Sequence, residues 1–345
     1  MDRQHTVEYD VQGEIGNDLL LKVENLQTSF FMPEGTIKAV DDVCFHVDRA
    51  ETLGLVGESG CGKSAIALSI MGLIAWPPGR IVGGRIFLEG EDLVQLPPSK
   101  LREIRGNKIS MIFQEPMSSL NPVYTLGRQI AEVYMEHQGA SKKQALEQAR
   151  EMLDKLGIPA PAKRIHEYPH NLSGGMRQRV MIAMALACNP KLILADEPTT
   201  ALDVTIQAQI LELMAELQDS MSTSIILITH NLGVVAEYTQ RIIIMYAGKI
   251  VEEAPVVTIF EQPLHPYTVG LLASIPRLGA KSAGGKQRLA EIPGVVPSLY
   301  NLPQGCNFHP RCSKTREICR QAPPPLVEVE SKHRVACWAV TEGWE

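Results

Sequence analysis

An eight-residue run, Gly57-Glu58-Ser59-Gly60-Cys61-Gly62-Lys63-Ser64, constrains this chain more than any other feature. It fits the pattern G-x-x-x-x-G-K-[S/T]. An apolar stretch, Thr52–Val56, precedes it and reads as a strand; a helix is expected to begin at Lys63 and run to about Met71. Glycines let the backbone turn so that successive N–H groups face one anion. The positive end of the following helix strengthens that field. The pattern sets Lys63 to reach the β- and γ-phosphates of a nucleotide and Ser64 to ligate Mg²⁺. Cys61 lies inside the loop and reads as a small tolerated residue, because its neighbours do not argue for a reactive thiolate.

A second apolar strand, Leu192–Asp196, ends in a carboxylate. Beside a phosphate loop, that carboxylate is placed to hold Mg²⁺ through a water. Glu197 follows directly. It could be a helix-start acid, but its position next to the metal-binding acid favours a base that polarises the attacking water. Three further features fall in order along the chain: Gln114 after the apolar strand Lys108–Phe113, the run Leu172-Ser173-Gly174-Gly175-Met176-Arg177-Gln178, and His230 after the apolar run Ile225–Ile228.

Around these motifs the periodicity alternates between strand and helix. Leu19 to about Val47 shows the alternation of half-buried strands. Leu126–Gln138 and Ser141–Leu156 carry helical spacing, with Ser141 as N-cap and Gly157-Ile158-Pro159 as stop. A helix is expected from Ser173 to Ala187 and another from Asp203 to Leu217. Leu192–Ala195 and Ile225–Ile228 are continuous apolar runs, as in strands of a parallel sheet buried on both faces. Ile242–Met245 and Lys249–Glu252 read as a hairpin around Ala247-Gly248. After about Gln262 proline becomes frequent, so regular structure is expected to be sparse there. Gly279 to Gly285 reads as a flexible surface loop. The organisation expected is a frayed segment 1–18, a nucleotide-binding domain 19–262 with a helical subdomain at about 115–190, and a loop-rich extension 263–345.

The ordered motif set resembles that of ABC-type ATPases. The resemblance implies an α/β phosphate-loop NTPase fold: a RecA-like mixed-sheet core, an antiparallel β subdomain, a helical subdomain and, here, the C-terminal extension. It implies that Gly57 to Ser64 hold ATP and that Ser173 and the amides of Gly174 and Gly175 bind the γ-phosphate of ATP on the opposite subunit. Gln114 resembles the Q-loop residue that touches Mg²⁺ and the attacking water. His230 resembles the switch histidine, and Asp203, in Ala201-Leu202-Asp203, matches the loop that crosses the dimer interface. Phe30 or Phe31 could stack on adenine; spacing to Ala39-Val40 favours Phe30, and a core phenylalanine is the competing reading. Asn231 stands where many relatives carry Asp, with little consequence expected.

Two further stretches resemble the ATPase subunits of the oligopeptide/dipeptide importer family: Gln114-Glu115-Pro116-Met117-Ser118-Ser119-Leu120-Asn121-Pro122, and a tail containing Leu264-His265-Pro266-Tyr267-Thr268, Ile292-Pro293-Gly294-Val295-Val296-Pro297 and Gly305-Cys306-Asn307-Phe308-His309-Pro310-Arg311-Cys312. That resemblance implies a peripheral motor at the cytoplasmic face of the cell membrane. Its partners would be two permeases, a second ATPase subunit (different, or a second copy) and, indirectly, a substrate-binding protein. Glu115–Arg128 would form the groove that receives a permease helix.

Four of the seven cysteines, Cys306, Cys312, Cys319 and Cys337, crowd the tail. The start, Met1-Asp2-Arg3-Gln4-His5, lacks an apolar signal core, so a reducing compartment and a metal site are expected in place of disulfides. The loose spacing lacks the C-x2-C knuckles usual for zinc. It suits a [4Fe–4S] cluster, which the resemblance also implies, with zinc or no metal as alternatives. The net charge of −6 gives no support to a nucleic-acid tether. Importers of nickel, opines or oligosaccharides would use a similar motor, and a soluble ATPase acting on nucleic acid is the remote alternative.

Overall fold

The computed structural model describes residues 18–114, 119–200, 202–275 and 291–344. Two sheets organise it. The first is antiparallel, in the order β2-β1-β4-β5, from β1 (Leu19–Met32), β2 (Gly35–Asp48), β4 (Gly79–Leu88) and β5 (Glu91–Asp92). Leu21, Val23 and Leu26 of β1 and Val43, Phe45 and Val47 of β2 are buried, which explains the alternation in the sequence.

The second sheet has eight strands in the order β11-β12-β10-β9-β3-β8-β7-β6. Its centre is parallel: β3 (Thr52–Val56) lies between β8 (Ser224–Thr229) and β9 (Arg241–Tyr246), while β7 (Leu192–Asp196) joins β8 to β6 (Ile109–Ile112). Every residue of β3, β7 and β8 is buried, as continuous apolar runs require. The carboxyl ends of β3 and β7 deliver the phosphate loop and Asp196 to the same edge, where parallel sheets bind ligands.

Helices Leu126–Gln138, Lys142–Lys155 and Gly174–Leu186 form the helical region, and their apolar faces share one core with the sheet through Ile112, Ile193 and Leu227. Ser141 caps its helix in a reciprocal box with Gln144. The helix after Asp203 runs to Met221, four residues past the expected end. Its last turn is held by Gln218 Nε2 donating to the Ala50 carbonyl at 2.7 Å, and it stops at Ser222 with φ +52°.

The tail is more regular than its proline content suggests. Helix Pro266–Ala273 follows β10 (Lys249–Pro255), and β11 (Val327–Glu330) and β12 (His333–Val335) extend the main sheet beyond β10. The described prolines of the tail sit at helix starts and in connections, where no backbone donor is lost from a ladder. Tyr246, Tyr267 and Phe308 pack edge-on or tilted, with centroids 4.7–5.4 Å apart, and bind the tail to the end of β9. The Gly279–Gly285 stretch lies outside the described residues.

One buried group makes the seating of the tail acid-sensitive. His265 is fully buried, and burial pushes its pKa down to about 3. Its Nδ1 accepts the Tyr267 N–H at 3.1 Å, so the proton sits on Nε2. Folded, the ring stays neutral; unfolded, it takes a proton near its ordinary value of 6.5. Stability from this group is therefore present above that value and lost as pH falls toward 3. His265→Asn keeps an N-cap acceptor without a titrating ring. Thermal melts from pH 7 to 4 should show a shallower acid loss in the variant than in the wild type; parallel curves would remove His265 from the explanation.

Candidate functional site

The phosphate loop turns tightly between β3 and helix Lys63–Ile70. Gly62 has φ +107°, and a Cβ there would meet the Ala39 carbonyl oxygen at 2.1 Å, so only glycine fits. Lys63 is 6% exposed, and its Nζ donates to the carbonyls of Gly57 at 2.7 Å and Glu58 at 3.0 Å. The ammonium is thus stored on carbonyls inside the loop that a triphosphate would occupy. Cys61 is buried beside it, and burial pushes its thiol up despite the Lys63 charge, which fits an inert residue.

Asp196 is buried at the end of β7. Burial raises its pKa, the Ser64 hydroxyl bonded to it offsets part of that, and the Glu197 charge adds to the rise. The Lys63 charge offsets part of the rise as well, and a divalent cation would add positive charge beside this buried carboxylate.

Glu197 has φ +46°, a left-handed conformation unusual for a non-glycine, which costs roughly 1 kcal/mol or more. Its N–H donates to the Ile228 carbonyl at 2.9 Å, which fixes the turn. The turn aims the carboxylate into a cage. Oε2 accepts from Gln114 Nε2 at 2.9 Å and from Thr200 Oγ1 at 2.8 Å, and Oε1 lies 3.0 Å from His230 Nδ1. Burial raises the Glu197 pKa, but the bonds from His230 and Thr200 and the charges of His230 and Lys63 outweigh it, and the net direction is down. The carboxylate is ionised at neutral pH and accepts only, so Nδ1 of His230 carries the proton. His230 itself has a side chain 64% exposed, open to a ligand.

Gln114, Glu197 and His230 therefore converge, from the ends of β6, β7 and β8. Thr200, not anticipated from the sequence, completes the cage; its only signal was its place three residues after Glu197. Ser173 stands apart. It is exposed, its Oγ accepts the Met176 N–H at 3.4 Å as N-cap, and Gly174 beside it is exposed too. A Cβ on Gly175 would meet Ile206 Cγ2 at 2.7 Å, so the start of this helix packs against the start of helix Val204–Met221. Asp203 N-caps that second helix through the Ile206 N–H at 3.0 Å. The two helix starts form one exposed ledge, with Val204 82% exposed beside them.

Phe30 is half-buried opposite Gly79 of β4, its ring 2.8 Å from where a Gly79 Cβ would lie. Phe31 is exposed and edge-on to Trp76. Asn231 accepts from the N–H groups of Gly233 and Val234, the capping work an Asp would do. Of Glu115–Arg128, residues 115–118 lie outside the described ones.

Cys306, Cys312, Cys319 and Cys337 all line one small cavity with His265, Phe308 and Trp338. Burial, with the neighbouring thiols, pushes Cys306 up to about 11. Among the described residues, however, no three His, Cys, Asp or Glu gather as a group that could hold a metal ion. The expected iron–sulfur cluster thus finds its four thiols facing one space, without a formed metal-binding group. No helix among the described residues is long and apolar enough to cross a membrane.

A family model for the ABC transporter matches residues 40–200, and one for the oligopeptide/dipeptide transporter C-terminal region matches 251–319. A probable peptide ABC transporter ATP-binding protein of Sinorhizobium fredii is 53% identical over 325 residues, covering 94% of this chain and 96% of its own. An oligopeptide transport ATP-binding protein of Bacillus subtilis is 53% identical over 323 residues, 94% and 97%. One of Salmonella typhimurium is 49% identical over 326 residues, 94% and 95%. Among solved structures, the dimeric post-hydrolysis state of the ATP-binding cassette MJ0796, bound to ADP and Pi, superposes with a TM-score of 0.62 at 29% identity over 69% of this chain and 99% of that one.

Proposed function

The chain belongs to the family of ABC transporter ATP-binding subunits that carry the oligopeptide/dipeptide C-terminal region, and from that membership we propose how it works and what it serves. It is the ATPase of an importer for di- or oligopeptides, peripheral on the cytoplasmic face of the membrane. Its partners are two permeases and a second ATPase subunit, or a second copy of itself. The nucleotide domain spans 19–262 and the extension 263–345. The observation that carries this reading is the carboxylate of Glu197 caged by Gln114, Thr200 and His230 beside the phosphate loop.

Residues 57–64 cradle the triphosphate, and Lys63 leaves the Gly57 and Glu58 carbonyls to reach it. Ser64, Gln114 and Asp196 would hold Mg²⁺, which would neutralise phosphate charge. Glu197 orients and polarises the water, and His230 and Gln114 hold that carboxylate in place. Phe30 supports the adenine. The ledge of Ser173, Gly174, Gly175 and Asp203 meets the ATP of the facing subunit, which fits its exposure in a single chain. Binding closes the pair, and hydrolysis releases it.

In the tail, Cys306, Cys312, Cys319 and Cys337 would hold a [4Fe–4S] cluster, with zinc the alternative. Soft thiolates are the right donors, and their shared cavity supports the assignment. Such a group would supply the positive charge that the thiols of Cys306, Cys312 and Cys337, pushed up by burial, need to ionise, and would tie together four points of the tail. Anaerobically purified protein should be brown, with about four irons and four sulfides per chain; colourless protein holding zinc would replace the cluster.

The experiment for the function itself is ATPase turnover of this subunit with its two permeases in nanodiscs, with the cognate binding protein added. Stimulation by peptide-loaded binding protein is expected. Stimulation by nickel, opines or oligosaccharides instead would reassign the cargo, and stimulation by DNA or RNA without permeases would overturn the importer reading.

A further inference from the structure

The tail reaches into the phosphate loop. Arg311 lies in the turn between Cys306 and Cys312, 253 residues from Glu58, and its side chain is 5% exposed. Nη1 donates to Glu58 Oε2 at 2.8 Å and Nη2 to Oε1 at 3.2 Å, a two-pronged pairing that fixes direction as well as distance. The remaining donors are used as well. Nε reaches the Pro293 carbonyl at 3.1 Å, Nη2 also reaches that of Ile292 at 3.3 Å, and Nη1 lies 3.5 Å from Tyr246 Oη. The Ile292-Pro293-Gly294 turn wraps the stem of the arginine: Gly294 has φ +83°, and a Cβ there would stand 3.1 Å from Arg311 Cγ.

The main chain of Glu58 is held from the same side. Its N–H donates at 3.0 Å to the hydroxyl of Tyr267, which is fully buried in the tail. Its carbonyl accepts from Lys63 Nζ. Lys63 must abandon that carbonyl, and that of Gly57, to meet a triphosphate. At that moment the first turn of the loop loses two internal bonds, while those from Arg311 and Tyr267 remain.

We propose that Arg311 and Tyr267 are positioning residues for ATP binding: the C-terminal extension braces Glu58, so that the phosphate loop keeps its binding shape when Lys63 departs. A loop held in its bound shape loses less freedom on binding, so the brace acts on affinity. The inference rests on the ATPase reading and adds to it a physical line from the tail to the nucleotide.

The test uses the full chain and five proteins: wild type, Arg311→Met, Arg311→Lys, Glu58→Gln and the Arg311→Met/Glu58→Gln double variant. A fluorescent ATP analogue gives Kd, and steady-state assays give KM and kcat. Each single variant is expected to weaken nucleotide affinity about tenfold, Arg311→Met with kcat at saturation near wild type, and the double to be no weaker than the worse single. Arg311→Lys should recover part of the loss, since it keeps the charge without the fork. Unchanged affinity in the singles, or effects that multiply in the double, would overturn the brace. Should Arg311→Met fail to fold, Glu58→Gln, on a carboxylate 29% exposed, decides by the same affinity shift. Wild-type protein without affinity for the analogue would sink the ATPase reading and the brace with it; wild-type affinity shared by every variant sinks the brace alone.

Discussion

Glu197→Gln should lower ATP turnover by about a thousandfold while the protein still binds ATP and pairs, the loss expected when a positioned base is removed. The size follows from the cage. Both carboxylate oxygens are engaged, one by Gln114 Nε2 and Thr200 Oγ1, the other by His230 Nδ1. A glutamine keeps the volume but brings its own N–H groups toward partners that already donate. It also removes the negative charge proposed to draw a proton from the attacking water. Because the Glu197 pKa is depressed, the base is ionised throughout the neutral range but is a weak acceptor, suited to orienting water more than to stripping it. That matches phosphoryl transfer, in which bond breaking runs ahead of attack. ATP binding should survive, since no ligand of the phosphates is touched. Size-exclusion with light scattering in ATP should show a stable pair for the variant and a transient one for the wild type. Turnover within about threefold of wild type would remove Glu197 from the role of base.

Residues 57–64, Asp196 and the Ser173 turn were legible because each is a local pattern: a glycine at a position no Cβ could occupy, a strand ending in an acid, a serine before a helix. The parallel strands were legible for the same reason, since burial on both faces writes itself as an unbroken apolar run. What the sequence hid depends on distance along the chain. Glu58 meets Tyr267 across 209 residues and Arg311 across 253, and no spacing rule links such positions. The strands β11 and β12 were hidden differently. Val327–Glu330 alternates Val and Glu over four residues, too short to outweigh three prolines just before it, and only pairing with β12, itself paired with β10, makes it part of a sheet. The four tail cysteines were read as one site, and they do line one cavity. Spacing alone could not say whether the thiols would close on an ion.

Ser173→Ala is expected to cost about a hundredfold in hydrolysis at the site of the facing subunit, the loss seen when one donor to a developing phosphate or oxyanion charge is deleted. The ledge bearing Ser173 is exposed in the single chain, and its hydroxyl's bond to the Met176 N–H, at 3.4 Å, is weak enough to exchange for a phosphate oxygen. The close approach of Gly175 to Ile206 ties this ledge to the helix capped by Asp203. Mixed pairs separate this geometry from an ordinary site. A Ser173→Ala protomer whose own phosphate loop is intact is paired with a protomer carrying Lys63→Ala. Only one site then retains a lysine, and the serine facing it comes from the Lys63→Ala protomer. Turnover there should approach half of wild type, whereas placing both changes in one protomer should lower it about a hundredfold further, because the intact loop then faces an alanine. If the two arrangements give the same rate, Ser173 does not act across the pair, and the clamp must close by some other contact.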